Sequence, residues 1–350
     1  MEQRQCGNSD IQLSVLGAGC WEFGGSEYWG PQSQSEADAV VHAAVDAGIN
    51  YFDTAEAYNE GRSEQALGRA LAGVPRDRVV IGSKVSPSNA YRDRLVTHCE
   101  QSLKRLKTDF IDIYMIHWPL TGQSLEHFTD EHARIAAPPS AEEAFEALGR
   151  LVKDGKIRYA GVSNFGPRPL AQALGQTPRT IVNQLPYNLF SRAVEDEVLP
   201  LCRAEHVGVI GYFTLLQGIL SGSYRDLSEV PRWQRRTRHF DSAGSELARH
   251  GGGGAEAEMR EALERIRQIS GDAGIPMATL AIRWAVSNPD LTCALVGTRK
   301  ASRIRENVAA ASSVLSSDLM HELDAATRPL ARALGPGFDY YESADNDRTV

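Results

Sequence analysis

Short apolar runs alternate with longer amphipathic stretches along almost the whole chain. The runs lie near residues 14–19, 50–53, 79–84, 112–117, 158–163, 181–184, 208–213 and 292–297. Several are apolar at successive positions, Ile113-Tyr114-Met115-Ile116 among them, as strands buried on both faces must be. The stretches between them read as helices near 35–48, 62–72, 91–107, 141–154, 168–175, 192–205, 256–288 and 301–313, the seventh long enough for two helices. In the first, Ala37, Val40, Val41, Ala44 and Val45 recur at three- and four-residue spacing and make one apolar stripe. Ser35 stands where an N-cap is expected, and Gly48 where the helix should stop.

Strand–helix units in strict alternation predict an α/β chain of one domain, a (β/α)8 TIM barrel with long loops at its C-terminal face. A doubly wound dinucleotide domain would carry GxGxxG after a strand. Gly17-Ala18-Gly19 begins such a pattern, but position 22 is Glu and no helix follows at once. The barrel is predicted over 1–335 and a tail over 336–350, the segment from 335 on being rich in Gly, Asp and Tyr. Residues 121–140, with Asp130, Glu131, His132 and Pro138-Pro139, lengthen the loop after the fourth strand. Residues 223–255 follow the seventh and carry Arg232, Arg235, Arg236 and Arg238 ahead of Gly251 to Gly254. Loops of this length at a barrel mouth are commonly substrate-binding or lid segments. For 244–255 the composition fits disorder equally well.

Bulk properties narrow the class. With 42% hydrophobic and 23% charged residues the chain is ordinary for a soluble globular protein. The net charge of -8 argues against a general nucleic-acid partner. Cys6, Cys20, Cys99, Cys202 and Cys293 are scattered, odd in number and free of CxxC pairs, which fits a reducing cytoplasm and neither a disulfide framework nor a zinc site. No signal peptide and no membrane span is expected. A metal site from His117 and Asp53 is disfavoured, since no HxH or HExxH supplies further ligands.

Candidate chemistry sits at the ends of the second, third and fourth barrel strands. Asp53 and Tyr58 follow Ile49 to Phe52, Lys84 follows Val79 to Ser83, and His117 follows Ile113 to Ile116. On parallel barrel strands all four converge at the C-terminal mouth, where barrel enzymes keep their chemistry. A phenol titrates near 10, too high for easy proton exchange at neutral pH, and a buried ammonium beside it is expected to lower that value. The carboxylate offsets the cost of burying the ammonium, and a neutral imidazole donates to an oxygen gaining negative charge. Singly each has a plain structural role: a turn cap for Asp53, a rim aromatic for Tyr58, a surface amine for Lys84, a satisfied core imidazole for His117.

Taken in order, Asp53-Thr54-Ala55-Glu56-Ala57-Tyr58, Ser63-Glu64, Lys84, His117-Trp118-Pro119, Gly161-Val162-Ser163-Asn164-Phe165, Val182-Asn183-Gln184, Tyr212 and Gly297-Thr298-Arg299 through Glu306-Asn307 resemble the aldo-keto reductases from about residue 10 to 330. The resemblance implies Tyr58 as proton donor to a carbonyl, Lys84 and Asp53 as a charged pair behind it, and His117 as orienter of the oxygen. It implies a nicotinamide site in which Ser163, Asn164 and Gln184 bond the carboxamide and Tyr212 stacks on the ring. Leu216, Gln217, Gly218 and Ser221 would border the pyrophosphate. Gly297 opens the last cofactor-binding motif, and Thr298, Arg299 and Arg303 match the family's 2′-phosphate site, implying NADPH (NADP+) over NADH, with Glu306 and Asn307 at the adenine. Trp21, Trp29, Trp118 and Tyr28 are expected to line a substrate pocket with aromatic walls and few charges.

The pattern departs at Asn59, where glycine is usual, and at Thr214, where proline is common. Gly19-x-Trp21-x-Phe23-Gly24-Gly25 followed by Trp29-Gly30 resembles bacterial members acting on sugars, inositols or small and aryl carbonyls. An oxidative sugar or polyol dehydrogenase stays open at this point. So does a nearly inert NADPH-sensing subunit of the kind the potassium-channel β proteins represent.

Overall fold

Eight parallel strands close into a barrel in the computed structural model, which describes residues 1–350. Two short strands precede it, β1 (Gln3–Gln5) and β2 (Gln12–Ser14), paired antiparallel. The barrel strands are β3 (Leu16–Gly19), β4 (Tyr51–Asp53), β5 (Val80–Val85), β6 (Ile111–Ile116), β7 (Ile157–Ser163), β8 (Val182–Pro186), β9 (Gly208–Tyr212) and β10 (Cys293–Gly297), in sequence order, with β10 returning to β3. The alternation of apolar runs therefore maps onto the barrel strand for strand.

The interior is filled by side chains rather than open. Tyr51 is fully buried, and a Cβ at Gly82 would meet its hydroxyl at 2.2 Å, so the neighbouring strand needs glycine there. With Ile113, Met115, Val182, Ile210 and Cys293, and with Cys6, Ile11 and Leu13 from the hairpin region, Tyr51 forms a plug inside the barrel. A larger core joins the outer strand faces to the surrounding helices.

Several elements differ from the sequence expectation, the β1–β2 hairpin among them. The first helix spans Gln34–Asp46, and its N-cap is Ser33 rather than Ser35. The reason is a capping box: the Ser33 hydroxyl accepts from the Glu36 backbone N–H while the Glu36 carboxylate accepts from that of Ser33. A helix over Ser317–Leu334 adds to those expected and packs on Glu256–Ala273. The 121–140 insertion holds two short helices, Gly122–Leu125 and His132–Ala136.

Residues 223–255 fold into short turns of 3-10 helix that dock on the mouth. Arg238 donates to the carbonyls of Leu334 (2.7 Å), Gly337 and Asp339, tying this segment to the end of the chain. The Gly166 N–H donates to Thr349 O (2.8 Å), so the last residues lie across the β7 end of the barrel. All five cysteines are buried thiols, and no helix is long and apolar enough to cross a membrane.

Candidate active site

Register brings the strand ends to one depth. Asp53 is the last residue of β4, Lys84 the last but one of β5, and His117 follows β6 directly. Lys84 is wholly buried. Its Nζ donates to Asp53 Oδ2 at 2.7 Å, Thr54 O at 2.9 Å and Tyr58 OH at 3.0 Å. Asp53 Oδ1 in turn accepts from Gln184 Nε2 at 2.7 Å and from Tyr51 OH at 3.3 Å. The Tyr58 and His117 rings meet edge to face at 5.5 Å.

The electrostatics correct one expectation. Burial raises the Tyr58 phenol above its ordinary value; the Lys84 ammonium pulls the other way and is outweighed. Burial pulls Lys84 down, but Asp53 and Tyr58 more than reverse this and hold it above its ordinary value. Both groups therefore stay protonated at neutral pH. Burial, with Lys84 and Arg348 nearby, holds His117 well below the usual imidazole value, so the ring is neutral. Its Nδ1 is buried without a hydrogen-bond partner. An orphaned acceptor is tolerated more readily than an orphaned N–H, which assigns the proton to Nε2, the nitrogen that reaches the cleft.

From this floor a cleft of about 1360 Å³ runs outward along the mouth, larger than a single small ligand needs. Ser163, Asn164, Gln184 and Tyr212 line its middle. Tyr212 OH donates to Asn164 Oδ1 (2.7 Å), Asn164 Nδ2 donates to His117 O (3.1 Å), and Ser163 Oγ donates to Gln184 O (3.1 Å). Gln217, Gly218, Ser221, Gly297, Thr298, Arg299, Arg303, Glu306 and Asn307 line the far arm. Leu216, expected there too, is buried in the core and is not among the residues that line the cleft; Leu216, Gln217 and Gly218 all take positive φ. Arg299 holds the carbonyls of Trp29 (2.6 Å) and Pro31, and Arg303 pairs with Glu306 at 2.5 Å. Burial pushes the Glu22 carboxyl, beside Gly297, up to about 7 against the pull of Arg299.

At the near arm Trp21 and Trp29 line the cleft and meet edge-on at 5.1 Å; Tyr28, expected to line it too, stacks on Trp21 at 5.4 Å but is not among the lining residues. Asn59 explains how this loop tolerates the missing glycine. It takes the left-handed conformation itself, at φ 52°, and its amide donates to Trp21 O and Phe23 O, both at 2.8 Å. Thr214, at the second departure, donates to Leu295 O at 2.8 Å. Trp118 lies under the Arg348 guanidinium at 3.7 Å.

Sequence reasoning missed several lining residues: Glu22, Phe128 from the first insertion, Phe213, Arg236 and Arg249 from the second, and Tyr341 and Arg348 from the tail. The expectation of few charges in the pocket walls is therefore wrong, because three arginines arrive on segments that follow no periodic pattern. The arginine cluster and the tyrosines of the tail were the available signals.

Residues 15–328 match the sequence pattern of the Aldo/keto reductase family. The NADH-specific methylglyoxal reductase of Escherichia coli (strain K12) is 32% identical over 346 residues, covering 92% of this chain and 98% of that one. Among solved structures, the glycerol dehydrogenase of Gluconobacter oxydans superposes with a TM-score of 0.75 at 27% identity, covering 95% of this chain and 96% of that one. An aldo-keto reductase from Klebsiella pneumoniae in complex with NADPH gives 0.69 at 26% identity, covering 99% of both chains. The chain belongs to the aldo/keto reductase family.

Proposed function

We propose that the protein reduces an aldehyde or ketone to the alcohol with NADPH, Tyr58 delivering the proton. The observation that carries this is the buried chain Asp53–Lys84–Tyr58, with links of 2.7 and 3.0 Å, ending at the cleft beside a neutral His117. A bound reduced nicotinamide would supply hydride to the carbonyl carbon. As charge grows on the carbonyl oxygen, His117 Nε2–H donates to it and the Tyr58 hydroxyl transfers its proton there. Lys84 stabilises the phenolate left behind, and Asp53 keeps the ammonium compensated throughout.

The cleft fits such a cofactor in two respects. Its size leaves room for a dinucleotide and a substrate together, and its donor set is amide and hydroxyl near the reacting end, arginine at the far end. Asn164, Ser163 and Gln184 would hold the carboxamide, and Tyr212 would pack on the ring. Arg299 and Arg303, at the start of the helix Ala301–Ala311, would take the 2′-phosphate, which favours NADPH over NADH.

The test is cofactor oxidation, followed by the loss of reduced-nicotinamide absorbance, against a panel of aldehydes, ketones and aldoses with each cofactor. The proposal expects turnover with NADPH, preferred about tenfold or more over NADH in kcat/KM. No turnover with any carbonyl, or a preference for NADH, contradicts the corresponding half.

A further inference from the structure

An arginine without a counter-charge stands over the aromatic wall of the cleft. The Arg236 Cζ lies 5.8 Å from the Trp21 ring centre, 5.0 Å from that of Tyr28 and 5.1 Å from that of Tyr341. Trp21 stands 6.0 Å from Tyr58, ring centre to ring centre. One indole thus separates the guanidinium from the proposed proton donor. Arg236 enters no ion pair and its Nε is buried without a partner; Tyr341 is packed beside it.

Of the other cationic groups of the mouth, Lys300 is unpaired but solvent-exposed beside Arg299, and the rest are engaged within the protein. Arg348 is bidentate to Asp339 at 2.7 and 2.8 Å, Arg238 caps three carbonyls, Arg299 holds two more, and Arg303 pairs with Glu306. The carboxylates lining the cleft are Asp53, occupied by Lys84 and Gln184, and Glu22 and Glu306, which stand with Gly297 and Arg303 on the far arm. None faces Arg236. Arg249, which also lines the cleft, is bonded to His127 at 2.9 Å and stands 4.0 Å from the Glu342 carboxylate, so it too has a counter-charge.

A partly dehydrated cation is costly unless it is matched, and aromatic faces offset only part of that cost. A planar guanidinium is suited to gripping two oxygens of a carboxylate or phosphate at once. We infer that the substrate is a carbonyl compound carrying an oxyanion group, held by Arg236, at the end remote from the reacting carbonyl. The inference rests on the reductase reading and names the substrate class of that same site. It also accounts for the aromatic wall: Trp21 and Tyr341 flank the span between the carbonyl at Tyr58 and the anion at Arg236.

The test uses three aldehydes of one shape: 4-formylbenzoate, 4-formylphenyl phosphate and neutral 4-formylbenzamide, each with NADPH. Wild type is expected to favour at least one anion over the amide by roughly tenfold or more in kcat/KM, mainly through KM, and the better anion tells carboxylate from phosphate. Arg236→Gln should bring that ratio close to one, and Arg236→Lys should leave it in between, which also controls for misfolding. A wild-type ratio near one, or the same ratio in Arg236→Gln, overturns the inference. So does weaker NADPH binding in the variant at an unchanged ratio, which would give Arg236 to the cofactor. Should none of the aldehydes turn over, the reductase reading has failed separately. The anion site is then read by tryptophan quenching with benzoate against benzamide, and equal affinities overturn it.

Discussion

Lys84 is the residue on which the site depends most. Its ammonium is the only cation touching both Asp53 and Tyr58, and no water shields it, since the side chain is fully buried. Burial makes the Tyr58 phenol a weaker acid than a free one, so in the proposed reaction Lys84 would stabilise the phenolate at the moment it forms rather than ionise Tyr58 in advance. Replacing it by methionine leaves the Asp53 carboxylate buried with only Gln184 and Tyr51 as donors. The Lys84→Met protein is predicted to lose about 3–5 kcal/mol in denaturant unfolding. Its turnover should fall roughly 10²-fold or more. A variant as stable and as active as wild type would show that the ion pair is dispensable. Asp53, Lys84 and His117 were legible in the sequence because each sits where an apolar strand run stops; Tyr58 lies beyond that, in the turn after β4, and was legible through the ordered motif around it. Arg236 and Tyr341 were not, because tertiary docking alone brings them to the cleft.

At the scale of elements, the barrel strands were readable because burial on both faces leaves continuous apolar runs. The hairpin β1–β2 was not, since its strands have three residues each and one of them is Gln3-Arg4-Gln5. The helix Ser317–Leu334 escaped for a different reason. Its inward stripe of Leu323, Ala326, Thr327, Leu330 and Leu334 includes small and polar members, and Pro329 within it reads as a stop. The segment 223–255 has no periodicity at all and is held by individual bonds. His239 is one of them: Nε2 donates to Phe190 O at 3.1 Å and Nδ1 accepts from Thr237 Oγ1 at 3.1 Å. Burial lowers its imidazole to about 4, so the folded protein keeps it neutral where the unfolded chain, titrating near 6.5, takes up a proton. This stability is present above pH 6.5 and is lost as pH falls towards 4, amounting to about 3 kcal/mol. His117, also lowered, adds in the same direction. Melting temperature measured across that window should fall less steeply for His239→Gln than for wild type; parallel curves would contradict the assignment.

For the whole molecule, the cleft is a joint product of the barrel and of segments far apart in sequence. The tail supplies Tyr341 and Arg348, covers Trp118, and is anchored by Arg238 from the 223–255 segment. Residues proposed to hold the cofactor come from the barrel ends instead. Deleting residues 336–350 is therefore predicted to raise KM for carbonyl substrates about tenfold or more, since ordering at the near arm is lost. The NADPH dissociation constant should change far less. A truncated protein with wild-type KM, or one that loses NADPH binding first, would show that the tail does not build the substrate end.

Tyr58 is proposed to pass its proton to a carbonyl reduced in this cleft. The direct test is a single turnover: NADPH-loaded protein is mixed rapidly with an accepted aldehyde, and the nicotinamide absorbance is followed in wild type and Tyr58→Phe. The predicted result is a rate lower by roughly 10²-fold or more in the variant while NADPH still binds. Equal rates would contradict the account.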